Sequence, residues 1–287
     1  MKSKKNLKIG IVGHGFVGKA TDFGFSISTT KFIVDPLINT NIDQLSNFSP
    51  DVVFVCVPTP MGKNGTQDSS IIEDVVKGLK LKCSDSIVVV KSTVLPSILD
   101  KIVSVNKNII YNPEFLRENY ANEDFINSEM IILGGNKKIA SKVSSFYSNH
   151  SKCLTKNHVF MDIRAASLVK YSINTFLASK VLFFNEIFEI YEKLESGESW
   201  QSFIETISTD SRIGKSHMKV PGHDGKKGFG GACFPKDTTA FLNYAKSIGV
   251  NFESLKAIIK KNNKIRKEYT NLNFREKSQN VSFDDKI

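Results

Sequence analysis

The sequence predicts an α/β chain: a parallel sheet covered by helices, followed by an all-helical domain. Three observations carry this. Six short apolar runs alternate with helical stretches over residues 1–160. A glycine-rich turn follows the first run, and the second run ends in a carboxylate. From about residue 161 the alternation stops and a helical apolar period replaces it. Strands separated by helices imply crossover connections and therefore a parallel, doubly covered sheet.

Residues 7–12 form the first apolar run and lead into Gly13-His14-Gly15-Phe16-Val17-Gly18. A helix to about residue 28 and a strand over 31–34 follow, and Asp35 ends that strand. Strand, glycine loop, helix, strand and acid in this order make the domain Rossmann-like. A third strand over 51–57 ends in Pro58-Thr59-Pro60, and a fourth over 86–90 in Lys91-Ser92-Thr93. A fifth over 108–111 ends in Asn112-Pro113-Glu114, and a sixth over 130–133 in Gly134-Gly135. Helices over 69–81 and 96–105 fill gaps between them. The polar motifs cluster just after the strands, where an open parallel sheet binds ligands.

Residues 165–194 hold a helical period with no proline or glycine, through Leu168, Tyr171, Phe176, Leu177, Val181, Leu182, Phe184, Ile187, Ile190 and Leu194. So broad a stripe predicts a central helix covered on several sides. A shorter helix is expected over 200–208. Residues 209–232 are polar and glycine-rich, too long for a bare connector, so functional or mobile. Pro235 suits the first turn of a helix to about residue 247, Gly249-Val250 breaks it, and a last helix covers 253–269. The expected domains are 1–160, a dinucleotide-binding sheet, and 161–270, a helical central domain with a cysteine loop. Residues 271–287 are expected to be a loose tail.

With 40% hydrophobic and 24% charged residues the 287-residue chain has a globular composition. No apolar run reaches membrane-spanning length, and the basic N-terminus runs into the glycine loop as a first strand, not a leader. Cys56, Cys83, Cys153 and Cys233 show neither Cys-x-x-Cys pairing nor metal-type spacing with histidines. The expectation is a reducing cytoplasm and no metal. A net charge of +10 suits nucleic acid or anionic small molecules. The densest cluster (Lys256, Lys260, Lys261, Lys264, Arg266, Lys267) reads as a solvated helix face, and no nucleic-acid motif accompanies it.

The Gly13, Gly15, Gly18 loop lets backbone N–H groups approach a pyrophosphate at a helix N-terminus. Asp35 follows at about the 20-residue spacing of a carboxylate on an adenosine ribose, which favours NAD over NADP. Cys233 stands after Gly230-Gly231-Ala232 and just before a helix, with Lys236 and Asp237 in the first turn. It is either an activated nucleophile or a buried inert thiol; Cys56, Cys83 and Cys153 are assigned the inert role. Lys170 and Asn174 share a helix face and are either surface or a site for a developing oxyanion. Glu114 and Glu118 repeat that spacing after a strand, as a helix first turn or as a general base near the cofactor.

Taken in order, these motifs resemble the UDP-glucose/GDP-mannose dehydrogenase family over roughly residues 7–265. The resemblance rests on Gly13-x-Gly15-x-x-Gly18, Val55-Cys56-Val57-Pro58-Thr59-Pro60, Lys91-Ser92-Thr93-Val94 and Asn112-Pro113-Glu114-Phe115-Leu116-Arg117-Glu118. It continues through Lys170-x-x-x-Asn174-x-Phe176-Leu177-Ala178-x-Lys180, Asn185-Glu186 and residues 228–237. Phe234-Pro235, Arg212-Ile213-Gly214 and Val220-Pro221-Gly222 most resemble the branch that oxidises UDP-glucose; the GDP-mannose branch is the alternative.

The resemblance implies NAD-dependent four-electron oxidation of a UDP-sugar C6 alcohol to a carboxylate. Water held by Asp237, with Lys170 close by, takes the alcohol proton; Cys233 forms a thiohemiacetal and then a thioester; Glu114 positions the hydrolytic water. Lys170 and Asn174 stabilise the oxyanion. Phe16, Val17 and Thr59 join the glycines and Asp35 around the cofactor, with Thr93 and Glu118 on the nicotinamide side. Phe115, Leu116, Phe229, Gly230 and Gly231 line the sugar nucleotide. Arg212 reaches a neighbouring subunit's substrate, implying a homodimer.

Two departures follow. Ser167 stands where relatives carry a glutamate. The family continues into a third domain beyond the 253–269 helix. This short form is therefore expected to bind more weakly, to borrow that domain from another chain, or to have adapted. A non-catalytic NAD-binding partner of a longer enzyme is the alternative to an enzyme.

Overall fold

The computed structural model describes residues 6–269 and 271–284. They form two compact units: one holds the chain up to Thr59 and Asp68–Lys170, the other Pro60–Gln67 and the chain from Tyr171.

The first unit contains, in order, β1 (Leu7–Val12), α1 (Phe16–Gly24), β2 (Thr29–Val34), α2 (Ile42–Phe48), β3 (Val52–Val55), α3 (Ser70–Lys82) and β4 (Ile87–Val90). It continues with α4 (Pro96–Val105), β5 (Ile109–Tyr111), α5 (Ala121–Ile126), β6 (Ile131–Gly135), α6 (Lys137–His150) and β7 (His158–Met161). The strands form one sheet in the order β2-β1-β3-β4-β5-β6-β7. Central strands such as Val52–Val55 are buried at every residue, because helices cover both faces. On one face Phe25 packs against Phe54 at 4.7 Å and Tyr147 at 4.8 Å between ring centroids. Truncating so buried a ring costs about 3–5 kcal/mol.

Four features depart from expectation. The sheet is not wholly parallel: β6 pairs antiparallel with β5, Tyr111 opposite Gly134. The first helix stops at Gly24 instead of near residue 28. Helices α2, α5 and α6 and strand β7 occupy stretches with no expected element. Asn41 and Gln44 make a reciprocal capping box at α2, and Asn136 accepts from Lys138 and Ile139 at the start of α6. The break between units falls at Lys170–Tyr171, not at residue 160, and Pro60–Gln67 belongs with the second unit.

The second unit is helical, consistent with the expected class. It takes most of α7 (Ile163–Lys193), then α8 (Trp200–Ser208), α9 (Phe234–Ser247), α10 (Glu253–Arg266) and α11 (Phe274–Ser278). Phe184, Ile204, Met218 and Val220 form a local core. The segment between α8 and α9 is anchored where Lys180 Nζ donates to the Ile213 and Gly214 carbonyls at 2.8 and 3.1 Å. Two expectations are corrected here. On α7, Phe176, Phe183 and Ile190 are 66%, 57% and 58% exposed, so that face is not covered within the chain. Residues 271–284 are not loose: Asn273 and Glu276 cap α11, and Glu276, Val281 and Phe283 are buried. Residues 285–287 of the expected tail lie outside the described residues. Among the described residues, no helix is long and apolar enough to cross a membrane.

Candidate active site

In the first unit the glycine loop joins β1 to α1. Gly18 is obligatory, since a Cβ there would lie 2.0 Å from the Gly13 carbonyl oxygen. Gly15 is the N-cap of α1 and is exposed; among the described residues no side chain caps this end and no acid stands in its first turn. A helix N-terminus without a first-turn carboxylate suits an anion such as a pyrophosphate. Phe16 and Val17 begin the helix, and Val17 packs against the sheet core. Asp35 lies at the end of β2, where Oδ2 accepts from the His14 N–H at 2.7 Å and Oδ1 from the Leu37 N–H at 2.9 Å. The turn thus fixes the carboxylate directly beside the loop. These residues fit a dinucleotide with a free 2′-hydroxyl.

Thr59 and Thr93 follow β3 and β4, and the buried Thr59 hydroxyl donates to the Thr93 carbonyl at 2.9 Å. Glu114 follows β5. Lys170 Nζ, 4% exposed, donates to the Glu114 carbonyl at 2.5 Å and lies 3.5 Å from its Oε1. Glu114 Oε2 accepts from the Leu116 N–H at 2.6 Å, and Lys170 Nζ sits 4.8 Å from the Phe115 ring centroid. The expected Glu114, Phe115, Leu116 and Lys170 are thus one cluster. Glu118 is exposed on the following turn. Ser167, in place of the expected glutamate, is buried and donates to the Val94 carbonyl at 2.6 Å.

In the second unit Cys233 is the N-cap of α9 and is partly exposed, while Cys56, Cys83 and Cys153 are buried. Burial pushes the Cys56 thiol up to about 11, and burial likewise raises Cys83 and Cys153. One turn into α9, Asp237 is 1% exposed; its Oδ2 accepts from Asn174 Nδ2 at 2.7 Å, and its Oδ1 accepts from Lys236 Nζ at 2.5 Å. The Asp237 N–H donates to the Cys233 carbonyl at 2.8 Å. The Lys236 ammonium thus ends on Asp237. Phe229 is buried; Gly230 and Gly231 are half-buried on the approach to Cys233. Arg212 is not brought to this cluster: it is exposed and forks onto Asp210.

Sequence reasoning missed the Lys236–Asp237 pair and the side chains that hold the cysteine loop. Adjacent lysine and aspartate in a helix first turn are usually solvated, so only burial reveals that these two are a pair.

Residues 37–150 match the model of the UDP-glucose/GDP-mannose dehydrogenase family NAD binding domain, and residues 164–264 match that family's central domain. The chain is 33% identical to UDP-glucose 6-dehydrogenase TuaD of Bacillus subtilis over 90% of its own length and 63% of the relative's. It is 34% identical to the UDP-glucose 6-dehydrogenase of Rickettsia prowazekii over 79% of its length and 52% of the relative's. The chain therefore spans between half and two thirds of these curated relatives. Among solved structures, a UDP-glucose dehydrogenase from Pyrobaculum islandicum superposes with a TM-score of 0.78 at 27% identity, covering 91% of this chain and 69% of that one. A UDP-D-ManNAc dehydrogenase from Pyrococcus horikoshii, at 18% identity and a TM-score of 0.74 over 96% of this chain and 73% of that one, shares the fold.

Proposed function

The chain belongs to the UDP-glucose/GDP-mannose dehydrogenase family, and from that premise we propose that it oxidises the C6 alcohol of UDP-glucose to the carboxylate through Cys233. The observation that carries the proposal is the buried Asn174–Asp237–Lys236 chain one helical turn from a partly exposed cysteine. A buried carboxylate held from both sides is oriented to bind a water rather than to roam in solvent.

NAD, when bound, accepts a hydride from C6 in each of the two oxidations. The glycine loop and Asp35 would hold its pyrophosphate and adenosine ribose, Thr59 would join them around the cofactor, and Thr93 and Glu118 would border its nicotinamide end. Water on Asp237 takes the alcohol proton as the first hydride leaves. Cys233 Sγ then bonds to the aldehyde carbon, and the carbonyl oxygen becomes a hydroxyl. Loss of a hydride and the hydroxyl proton leaves a thioester. Water positioned by Glu114 cleaves the C–S bond, giving the carboxylate and returning the thiol. Lys170 and Asn174 stabilise the negative oxygen in the adducts.

The working unit is a homodimer, built on the exposed apolar face of α7, with Arg212 reaching the partner's substrate. A reducing cytoplasm suits a chain whose four cysteines form no disulfide. The test is NADH absorbance with UDP-glucose, GDP-mannose and UDP-N-acetylhexosamines in parallel. Turnover confined to UDP-glucose supports the proposal. Turnover with another sugar alone refutes the substrate, and turnover with none refutes the enzyme.

A further inference from the structure

The glycine loop that delivers Cys233 to α9 is held through its amides. Four of the five N–H groups from Lys227 to Gly231 donate to side chains, not to backbone. Lys227 donates to Tyr269 Oη at 3.1 Å, Gly228 to Asn185 Oδ1 at 2.9 Å and Phe229 to Asn262 Oδ1 at 2.7 Å. Gly231 donates to Glu276 Oε1 at 2.9 Å. These acceptors come from α7, α10, the residues after α10, and α11, so no single element could hold the loop alone.

Glu276 is the acceptor nearest the cysteine and the most deeply committed. It is 1% exposed, as is Arg266, whose Nη2 donates to the same Oε1 at 3.2 Å. Arg266 Nη1 donates to Asp224 Oδ2 at 2.8 Å, just before the loop begins. The other carboxylate oxygen, Oε2, accepts from the Asn273 N–H at 2.8 Å. The guanidinium passes so close beneath the loop that a Cβ on Gly230 would lie 2.1 Å from Nη2. A buried carboxylate is tolerable only when every oxygen is paired, so the geometry around Glu276 admits few alternatives. Arg266 and Glu276 both lie outside the residues matched to the family's central domain, 164–264.

We propose that Glu276 is a positioning residue for Cys233: with Arg266 it clamps the Gly231 amide and so fixes where the sulfur stands at the start of α9. The inference rests on the reading of Cys233 as the nucleophile. The segment at 273–284 is then a working part of the cysteine loop.

The test uses the full chain with Glu276→Ala and Glu276→Gln. Three quantities are read: amide hydrogen exchange of the 226–234 segment, the iodoacetamide alkylation rate of Cys233, and kcat and KM with UDP-glucose and NAD. In Glu276→Ala, exchange in the segment should rise roughly tenfold, alkylation should change roughly tenfold, and kcat should fall roughly tenfold with KM within about twofold. Glu276→Gln keeps an oxygen for Gly231 and should recover most of each. Unchanged exchange, or faster exchange with unaltered alkylation and kcat, overturns the inference. So does a glutamine variant as defective as the alanine one. If alanine at 276 prevents folding, the glutamine variant decides alone, near-normal alkylation and kcat being the required result. If the wild-type chain oxidises no nucleotide sugar, the proposed function fails, while exchange and alkylation still decide the clamp.

Discussion

Cys233 differs from the other three cysteines by environment, and that difference is measurable. The buried thiols stay protonated at neutral pH, Cys56 most clearly, with burial holding it up at about 11. Cys233 stands partly exposed at the N-cap of α9, within reach of a reagent in solvent. Native-state labelling with iodoacetamide at pH 8, followed by peptide mass spectrometry, should modify Cys233 at least about tenfold faster than Cys56, Cys83 or Cys153. Equal labelling of Cys56 would contradict this account of the site. Most residues of the proposed site are visible in the sequence because their chemistry stands beside a strand end or a helix start: Gly13, Asp35, Glu114, Cys233. The partnerships are not. Asn174 with Asp237, and Glu276 with Gly231, are separated by 63 and 45 positions and become pairs only once helices pack.

Elements with a strong period were legible; those defined by caps were overlooked. Helix α7 announces itself through its apolar repeat, and β3 and β4 through short valine-rich runs. Helix α6 is less apolar overall than α7 and α2 is short, and their asparagine caps were the signal available. The antiparallel entry of β6 has no local signature, because strand direction is a property of the connection. On α7 the exposed Phe176, Phe183 and Ile190 recur every seven residues, the spacing of one seam against another helix. If the proposed dimer forms on this face, the wild type should scatter light as a dimer, and replacing Phe176 and Phe183 together with lysine should leave the folded chain monomeric. A dimer surviving both changes would place the interface elsewhere.

At the scale of the whole molecule, the sheet unit buries titratable groups that make its stability fall in alkali. Cys56 is pushed up to about 11 by burial, and Tyr147 is raised well above its ordinary value by the same cause. Both hold their protons in the folded state, so their contribution is complete below pH 9 for the thiol and is lost as pH rises toward 11. Lys91, lowered by burial, acts in the opposite sense in its own window below its ordinary value of 10.5. Cys56→Ala should therefore flatten the loss of stability between pH 9 and 11 by on the order of 2 kcal/mol in urea unfolding. An unchanged slope would mean that the thiol is already open to solvent.

The proposed oxidation draws on both units, the first for its cofactor loop and the second for its cysteine. Counting NADH formed for each UDP-glucose consumed, with Cys233→Ser beside the wild type, tests that most directly. The account predicts two NADH per sugar and a carboxylate product for the wild type, and loss of net acid formation in the serine variant. A ratio of one, or a serine variant that still makes the acid at the wild-type rate, would contradict it.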